Sequence, residues 1–411
     1  MKVQRVVVTG MGTVSPIGLN VEDYWKNLSA GKSGVGLISK FDATDYPVKV
    51  AAEVKGLDPT KYMDLKTVER TTRTIHFVVP AAKEAVASAG LDMAREQAER
   101  VGIVSANMQE NRYVSEGFNV LAKRGPRRVD PLFFTKGAPS IVSLQLGMLF
   151  GARGPSTSVN SLCASGADAI GCALNFIRLG YADVMIVATS DASLDEMTVA
   201  ALSVIGALSK EPDPDKASRP FDLNRSGFIY AEGSGVMVLE SYEHAVKRGA
   251  PILAELAGAG WTFDAYDTTA PYPATEATAM RIAIQNAGLG LEDVDCINAH
   301  GTSTRLNDVS ETKAIKMVFG ERAYQIPVTA HKSMYGHMLS AGGLVESIGA
   351  VLAISRGVIP PTIHYETPDP DCDLDYVPNV ARREQVNVCL KNSFGLGGQN
   401  CCLVFKKFKE A

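Results

Sequence analysis

The chain has no basic excess to offer a nucleic acid or an anionic membrane: Lys and Arg number 41 against 45 Asp and Glu, a formal net charge of -4. An acidic partner must therefore meet a local patch. No apolar run reaches the length of a membrane span. The seven cysteines contain no C-x-x-C pair, and their odd number and scatter from Cys163 to Cys401–Cys402 do not look like a disulfide framework. From Met1 to Val8 the chain runs into a strand-like segment without a signal-peptide core or a small-residue cleavage site. These features predict a reduced, cytoplasmic protein without nucleic-acid or membrane partners. A dinucleotide fingerprint is also missing, because Gly10 and Gly12 are followed by Ser15 where G-x-G-x-x-G requires a third glycine. No internal repeat is detectable by sequence identity.

What is present is enough for a large core. With 411 residues and 46% hydrophobic content, the chain is sized for two or three domain-like units. Short β-branched runs alternate with helix-length amphipathic or small-residue segments, the pattern of an α/β fold with buried sheets. Val6–Val8 and Val184–Val187 read as strands in the first half, Cys296–Asn298 and Ile326–Val328 in the second. Proline-broken loops fall at Lys210–Lys216 and at Ile359–Pro361. Two halves are expected, residues 1–250 and 251–411.

Three places carry candidate chemistry. After a strand-like run over 156–161, Cys163-Ala164-Ser165-Gly166 opens a small-residue helix expected to reach Gly180, which puts Cys163 at a helix N-terminus. The positive end of a helix dipole favours thiolate over thiol, so a lowered Cys163 pKa is expected. A lone cysteine is more often a small hydrophobe, and Cys172, Cys296, Cys372 and Cys389 are read that way. His300-Gly301-Thr302-Ser303-Thr304 ends a strand and leads through Asn307-Asp308 to Glu311, and Lys332-Ser333-Met334-Tyr335-Gly336-His337 precedes an apolar helix bearing Glu346. Neutral imidazoles there can donate hydrogen bonds to developing negative charge, and the hydroxyls of Thr302 and Thr304 can hold a polar tether. A zinc site made from Cys163, His300 and His337 is a second reading; no metal is expected, since metal sites usually include a close pair of ligands and these three lie on separate elements. Asn392-Ser393-Phe394-Gly395-Leu396-Gly397-Gly398-Gln399-Asn400 reads as a glycine hairpin able to offer an N–H to an oxyanion and to swing Phe394 across a pocket mouth.

In combination, Cys163 followed by H-G-T-x-T, K-x-x-x-G-H and N-S-F-G-x-G-G-x-N closely resembles the β-ketoacyl-acyl carrier protein synthases of the elongating class. The resemblance extends to Val7–Gly12, Ser218–Asp222 and Pro360–Thr362. It implies a thiolase-like α/β fold, two similar halves forming a five-layered αβαβα sandwich, usually as a homodimer. It implies no cofactor, the substrates arriving on the phosphopantetheine of acyl carrier protein. Cys163 would take an acyl group as a thioester, with an oxyanion hole from the N–H groups of Cys163 and Phe394. Thr302 and Thr304 would hold malonyl-pantetheine, His300 and His337 would stabilise the enolate left after loss of carbon dioxide, and Lys332 and Glu346 would assist.

The chain also departs from that pattern. Ser105–Asn111 stands where relatives are glycine-rich, Ser161-Leu162 precedes the nucleophile instead of Thr-Ala, and Leu396 replaces a phenylalanine. Met108 and Gln109 are therefore expected to line a reshaped acyl pocket suited to a shorter, unsaturated or aryl-bearing chain, as in specialised polyketide or polyene pathways. Lys66, Arg70, Arg73, Arg127 and Arg128 are candidates for an acyl carrier protein patch, although Gly206 stands where relatives often place an arginine. A non-catalytic partner subunit would lack the nucleophile; a catalytic subunit in a heterodimer with a related ketosynthase-like chain remains open.

Overall fold

The structure, a computed structural model, describes residues 4–410, so Met1–Val3 of the N-terminal run lie outside it. Its main sheet has ten strands. In chain order these are β1 (Val6–Val14), β2 (Val101–Asn107), β3 (Ser156–Ser158), β4 (Val184–Asp191), β5 (Gly233–Ser241), β6 (Ala254–Phe263), β7 (Cys296–Asn298), β8 (Val328–Thr329), β9 (Val388–Phe394) and β10 (Gln399–Lys406). Their spatial order is β8-β7-β9-β10-β6-β1-β5-β4-β2-β3.

That order is one motif written twice. In the first block β2 pairs parallel with β3 and β4, while β4–β5 and β5–β1 are antiparallel. In the second, β7 pairs parallel with β8 and β9, while β9–β10 and β10–β6 are antiparallel. The blocks join at a narrow seam, Val7 with Glu255 and Val8 with Ala254. Strands β1, β2, β4, β5 and β9 are buried throughout, which explains their apolar runs without alternation.

Helices fill the layers between and outside the blocks. Ser165–Arg178 packs on β2 and β4, Gly342–Arg356 on β9 and β5, and the two helices pack on each other. Arg73–Ser88 covers the outer face of β1, β4 and β5, and Pro273–Asn286 covers β6 and β10 with Arg305–Phe319 beside it. The result is the five-layered αβαβα sandwich. Leu339–Arg356 is long and apolar enough to cross a membrane, but it is 89% buried and serves as the central core element. Burying each of its Leu, Ile or Val side chains contributes about 1.5–3 kcal/mol.

Glycines permit two close approaches. A Cβ on Gly12 would lie 1.9 Å from the carbonyl oxygen of Ala81, so the Gly10-x-Gly12 pair lets Arg73–Ser88 settle on β1. On Gly166 it would lie 2.7 Å from the N of Leu344 and 2.9 Å from the O of Ser340, so the two central helices meet at their N-terminal ends. The chemistry-bearing turns of both blocks are thereby brought face to face.

Candidate active site

Cys163 sits in a 3-10 turn, Leu162–Ala164, and the α-helix starts only at Ser165, two residues later than the sequence suggests. The strand before it is likewise shorter, Ser156–Ser158. Leu162 has φ of 51°, a left-handed conformation that costs a side-chain-bearing residue about 1–3 kcal/mol. Its neighbours hold it there. The Leu162 N–H donates to Asn160 Oδ1 at 3.2 Å, and the Leu162 carbonyl accepts from Ser165 Oγ at 2.7 Å. Ser165 Oγ in turn accepts from the Ser161 N–H at 2.8 Å. This strained elbow presents the half-buried Cys163 to a cavity of about 480 Å³.

The expected acidification of the thiol meets an opposing effect. Burial pushes the Cys163 thiol up to about 11, although the Leu396 N–H and the Lys332 charge pull the other way. Desolvation of the sulfur outweighs those partners, and the α-helix proper begins beyond the thiol.

Both histidines reach the same cavity. Their ring centroids are 5.3 Å apart and nearly perpendicular, at 82°. Lys332 Nζ lies 2.7 Å from the His300 carbonyl oxygen and 3.4 Å from His300 Nδ1. An ammonium can only donate, so Nδ1 is the acceptor and the His300 proton resides on Nε2. His337 is buried with neither ring nitrogen bonded to the protein among the described residues. Burial, reinforced by Lys332 and Lys391, drives both imidazoles well below the usual histidine range, so both are neutral.

Behind the rings lies a charge cluster. Glu346 takes Lys332 at 2.6 Å on one oxygen and Lys391 at 3.0 Å on the other, all three buried. The two ammonium charges outweigh burial and hold the Glu346 carboxyl below its ordinary value. Glu311 accepts from the N–H groups of His300 and Gly301, each at 2.8 Å, and from Asn392 Nδ2 at 3.0 Å. Lys391 was not singled out in the sequence. Its only signal was a lysine directly after the apolar run Val388–Leu390, inside a strand.

Thr302 and Thr304 line the cavity with their hydroxyls 2.9 Å apart. The loop carrying them is held from beneath by buried Arg225, which donates to the Thr304 carbonyl at 3.2 Å and to Asp369 at 2.5 Å. Phe394 ends β9 against His300, ring centroids 5.9 Å apart, and Leu396 of the hairpin reaches the cavity mouth. Gly397 and Gly398 both adopt φ of 91° in that hairpin.

Other expectations fare differently. Met108 lines the cavity, but Gln109 is exposed and borders a separate small pocket with Thr74, Tyr113 and Lys136, because its side chain points away from Cys163. Of the basic candidates, Lys66, Arg70, Arg127 and Arg128 are exposed. Arg73 is instead committed to the buried Glu232 at 2.7 Å, a carboxylate it shares with Lys40. None of the five lines the cavity, whose own rim cation is Arg305. Among the described residues no group of three His, Cys, Asp or Glu side chains is arranged to hold a metal ion.

Comparison with known proteins agrees with this geometry. Residues 3–245 match the beta-ketoacyl synthase N-terminal domain and residues 253–366 the C-terminal domain. The chain is 42% identical to the 3-oxoacyl-[acyl-carrier-protein] synthase 2 of Synechocystis and 41% identical to that of Staphylococcus aureus, over 99% of both partners in each case. Among solved structures, the ishigamide ketosynthase/chain length factor superposes with a TM-score of 0.92 at 34% identity, over 99% of this chain and 100% of the other. A type II polyketide synthase acyl-carrier protein in complex with its ketosynthase gives a TM-score of 0.91 at 33% identity, with the same coverage. A strained cysteine turn, two neutral histidines and a glycine hairpin around one cavity, on a doubled five-strand motif, accompany a family match along most of the chain: it belongs to the β-ketoacyl synthases.

Proposed function

We propose that this β-ketoacyl synthase condenses an acyl thioester with malonyl-acyl carrier protein, using Cys163 as nucleophile and His300 and His337 as the enolate-stabilising pair. The observation that carries the reading is the convergence of Cys163, His300, His337, Thr302, Thr304 and Phe394 on one cavity, from both halves of the chain, 1–250 and 251–411. In the first half-reaction Cys163 Sγ bonds to the acyl carbon, the bond to pantetheine sulfur breaks, and the thiol proton ends on the departing pantetheine. Because the resting Cys163 is a thiol, that proton leaves during attack, and an unpartnered nitrogen of His337 is a suitable relay. The N–H groups of Cys163 and Phe394 face the oxyanion.

In the second half-reaction malonyl-pantetheine lies along Thr302 and Thr304. Its carboxylate departs as carbon dioxide, the electron pair remains as an enolate, and the imidazole N–H groups donate to the enolate oxygen. The enolate carbon then attacks the Cys163 thioester and expels the thiolate. Lys332 and Glu346 hold His300 and balance charge. Acyl carrier protein is the partner, with Lys66, Arg70, Arg127 and Arg128 as its basic contacts and phosphopantetheine as its tether, so no separate cofactor is required. The seven free cysteines favour the reducing cytoplasm.

A dimer is favoured by the large apolar side chains left exposed between residues 118 and 148, Phe118 at 63%, Phe134 at 86% and Met148 at 67%. Similarity to a ketosynthase/chain length factor keeps a heterodimer with a related subunit as the second reading, and co-purification from the native source separates the two. The test of the chemistry is intact-protein mass spectrometry with a panel of acyl-carrier thioesters. Acyl mass should appear on Cys163, with shorter, unsaturated or aryl chains ahead of long saturated ones. Acylation elsewhere would overturn the mechanism, and equal use of all saturated lengths would overturn the specialised pocket.

A further inference from the structure

Glu346 and Lys332 make a complete buried ion pair on their own, yet a second buried lysine joins them. Lys391 stands on β9 with no solvent exposure, and its Nζ lies 3.0 Å from Glu346 Oε2 and 3.1 Å from Ser393 Oγ, while donating to the Asn392 carbonyl. A buried ammonium carries a desolvation cost of several kcal/mol, so a surplus one is not a stabilising convenience. We propose that Lys391 is a positioning residue for carbanion formation: it shares Glu346 with Lys332 and sets a second fixed positive charge behind His300 and His337.

The surroundings define what that charge does. The charges acting on the two imidazoles are Lys332 from its own turn and Lys391 from β9; Glu346 of the central helix pairs with both lysines, Glu311 of Arg305–Phe319 holds the His300 N–H, Asp191 at the end of β4 acts on the Cys163 sulfur, and His331 turns instead to Asn298. Glu346 is spent on two cations, and the Glu311 oxygens are engaged by the N–H groups of His300 and Gly301 and by Asn392. Burial drives both rings down and the Lys332 and Lys391 charges add to it; the same two charges stabilise the negative charge that develops as carbon dioxide leaves. Acylation of Cys163 develops its charge at the other block's turn and depends on Lys391 less.

The inference rests on the enolate role assigned to the histidines, and the experiment separates the two. Carbon dioxide release from malonyl-acyl carrier protein and acylation of Cys163 are followed from pH 6 to 8.5 in the wild type, Lys391→Gln, Lys391→Arg and His337→Ala. Lys391→Gln should slow release about tenfold or more at pH 6 and much less at pH 8.5, with acylation within about threefold of wild type, and Lys391→Arg should restore the wild-type profile shape. A Lys391→Gln profile parallel to wild type, or equal losses in both half-reactions, would overturn the proposal. Unimpaired release in His337→Ala would instead sink the functional reading. Should Lys391→Gln not fold, Lys391→Met, which keeps the buried stem and removes the charge, is measured in the same two assays and decides by the same outcomes.

Discussion

The two halves have the same wiring and opposite chemistry. In each, a short edge strand leads through a turn into a central helix: β3 to Cys163 to Ser165–Arg178 in one, β8 to Lys332 and His337 to Gly342–Arg356 in the other. The first turn carries a single reactive atom, half-buried, held by backbone strain at Leu162 and by serine hydroxyls. Its counterpart is packed with charge, two lysines on one glutamate behind a histidine whose ring nitrogens have no protein partner among the described residues. One topology therefore holds a strained, accessible cysteine in one half and a cluster of buried charge in the other. The split follows from physics: a thioester-forming sulfur needs access, whereas hydrogen-bond donors for an enolate gain strength from burial in a dry, preorganised setting.

The largest break in that comparison is removal of the sulfur. Cys163→Ala should abolish acyl-enzyme formation and lower condensation by a factor of about 10³ or more, while malonyl decarboxylation persists, because its machinery lies in the other half. Mass spectrometry and carbon dioxide release measured together check both parts; loss of decarboxylation as well would mean that the halves are not separable. A smaller effect tests the resting charge of the nucleophile. With the thiol pushed up to about 11, the reactive thiolate is scarce at neutral pH, and the iodoacetamide alkylation rate of Cys163 should climb about tenfold per pH unit from 7 to 9. A rate already level at pH 7 would restore the helix-dipole account. The smallest concerns the elbow: Leu162→Gly should change unfolding stability by no more than about 1 kcal/mol, since relief of the left-handed strain offsets a more flexible unfolded chain. Acylation should nonetheless slow, and unchanged acylation kinetics would show that the strain does not aim the sulfur.

Most of the site was legible because its residues lie in four compact motifs, each at a turn between elements whose apolar runs announce them. Cys163, His300, His337, Thr302, Thr304, Lys332, Glu346 and Phe394 could be named from the motifs together with the family resemblance those motifs carry. What failed depended on distance through space. Arg73 looked available until buried Glu232 from a strand end far along the chain was found to claim it. Gln109 looked like a neighbour of Met108, but adjacent residues leaving a strand point in different directions. The thiol reading lacked an opposing effect, because helix position is local whereas desolvation is set by everything packed around the sulfur.

The amino-acid order determined the reaction chemistry and the α/β class, since nucleophile, histidines, hairpin glycines and buried strands are all written in contiguous segments. The doubling of the five-strand motif, the second lysine on Glu346, the neutrality of both imidazoles and the high thiol pKa were decided only by tertiary structure. Charge, solvation and shape at a site are sums over neighbours that the chain brings together from hundreds of residues apart, and no local stretch of sequence carries those sums.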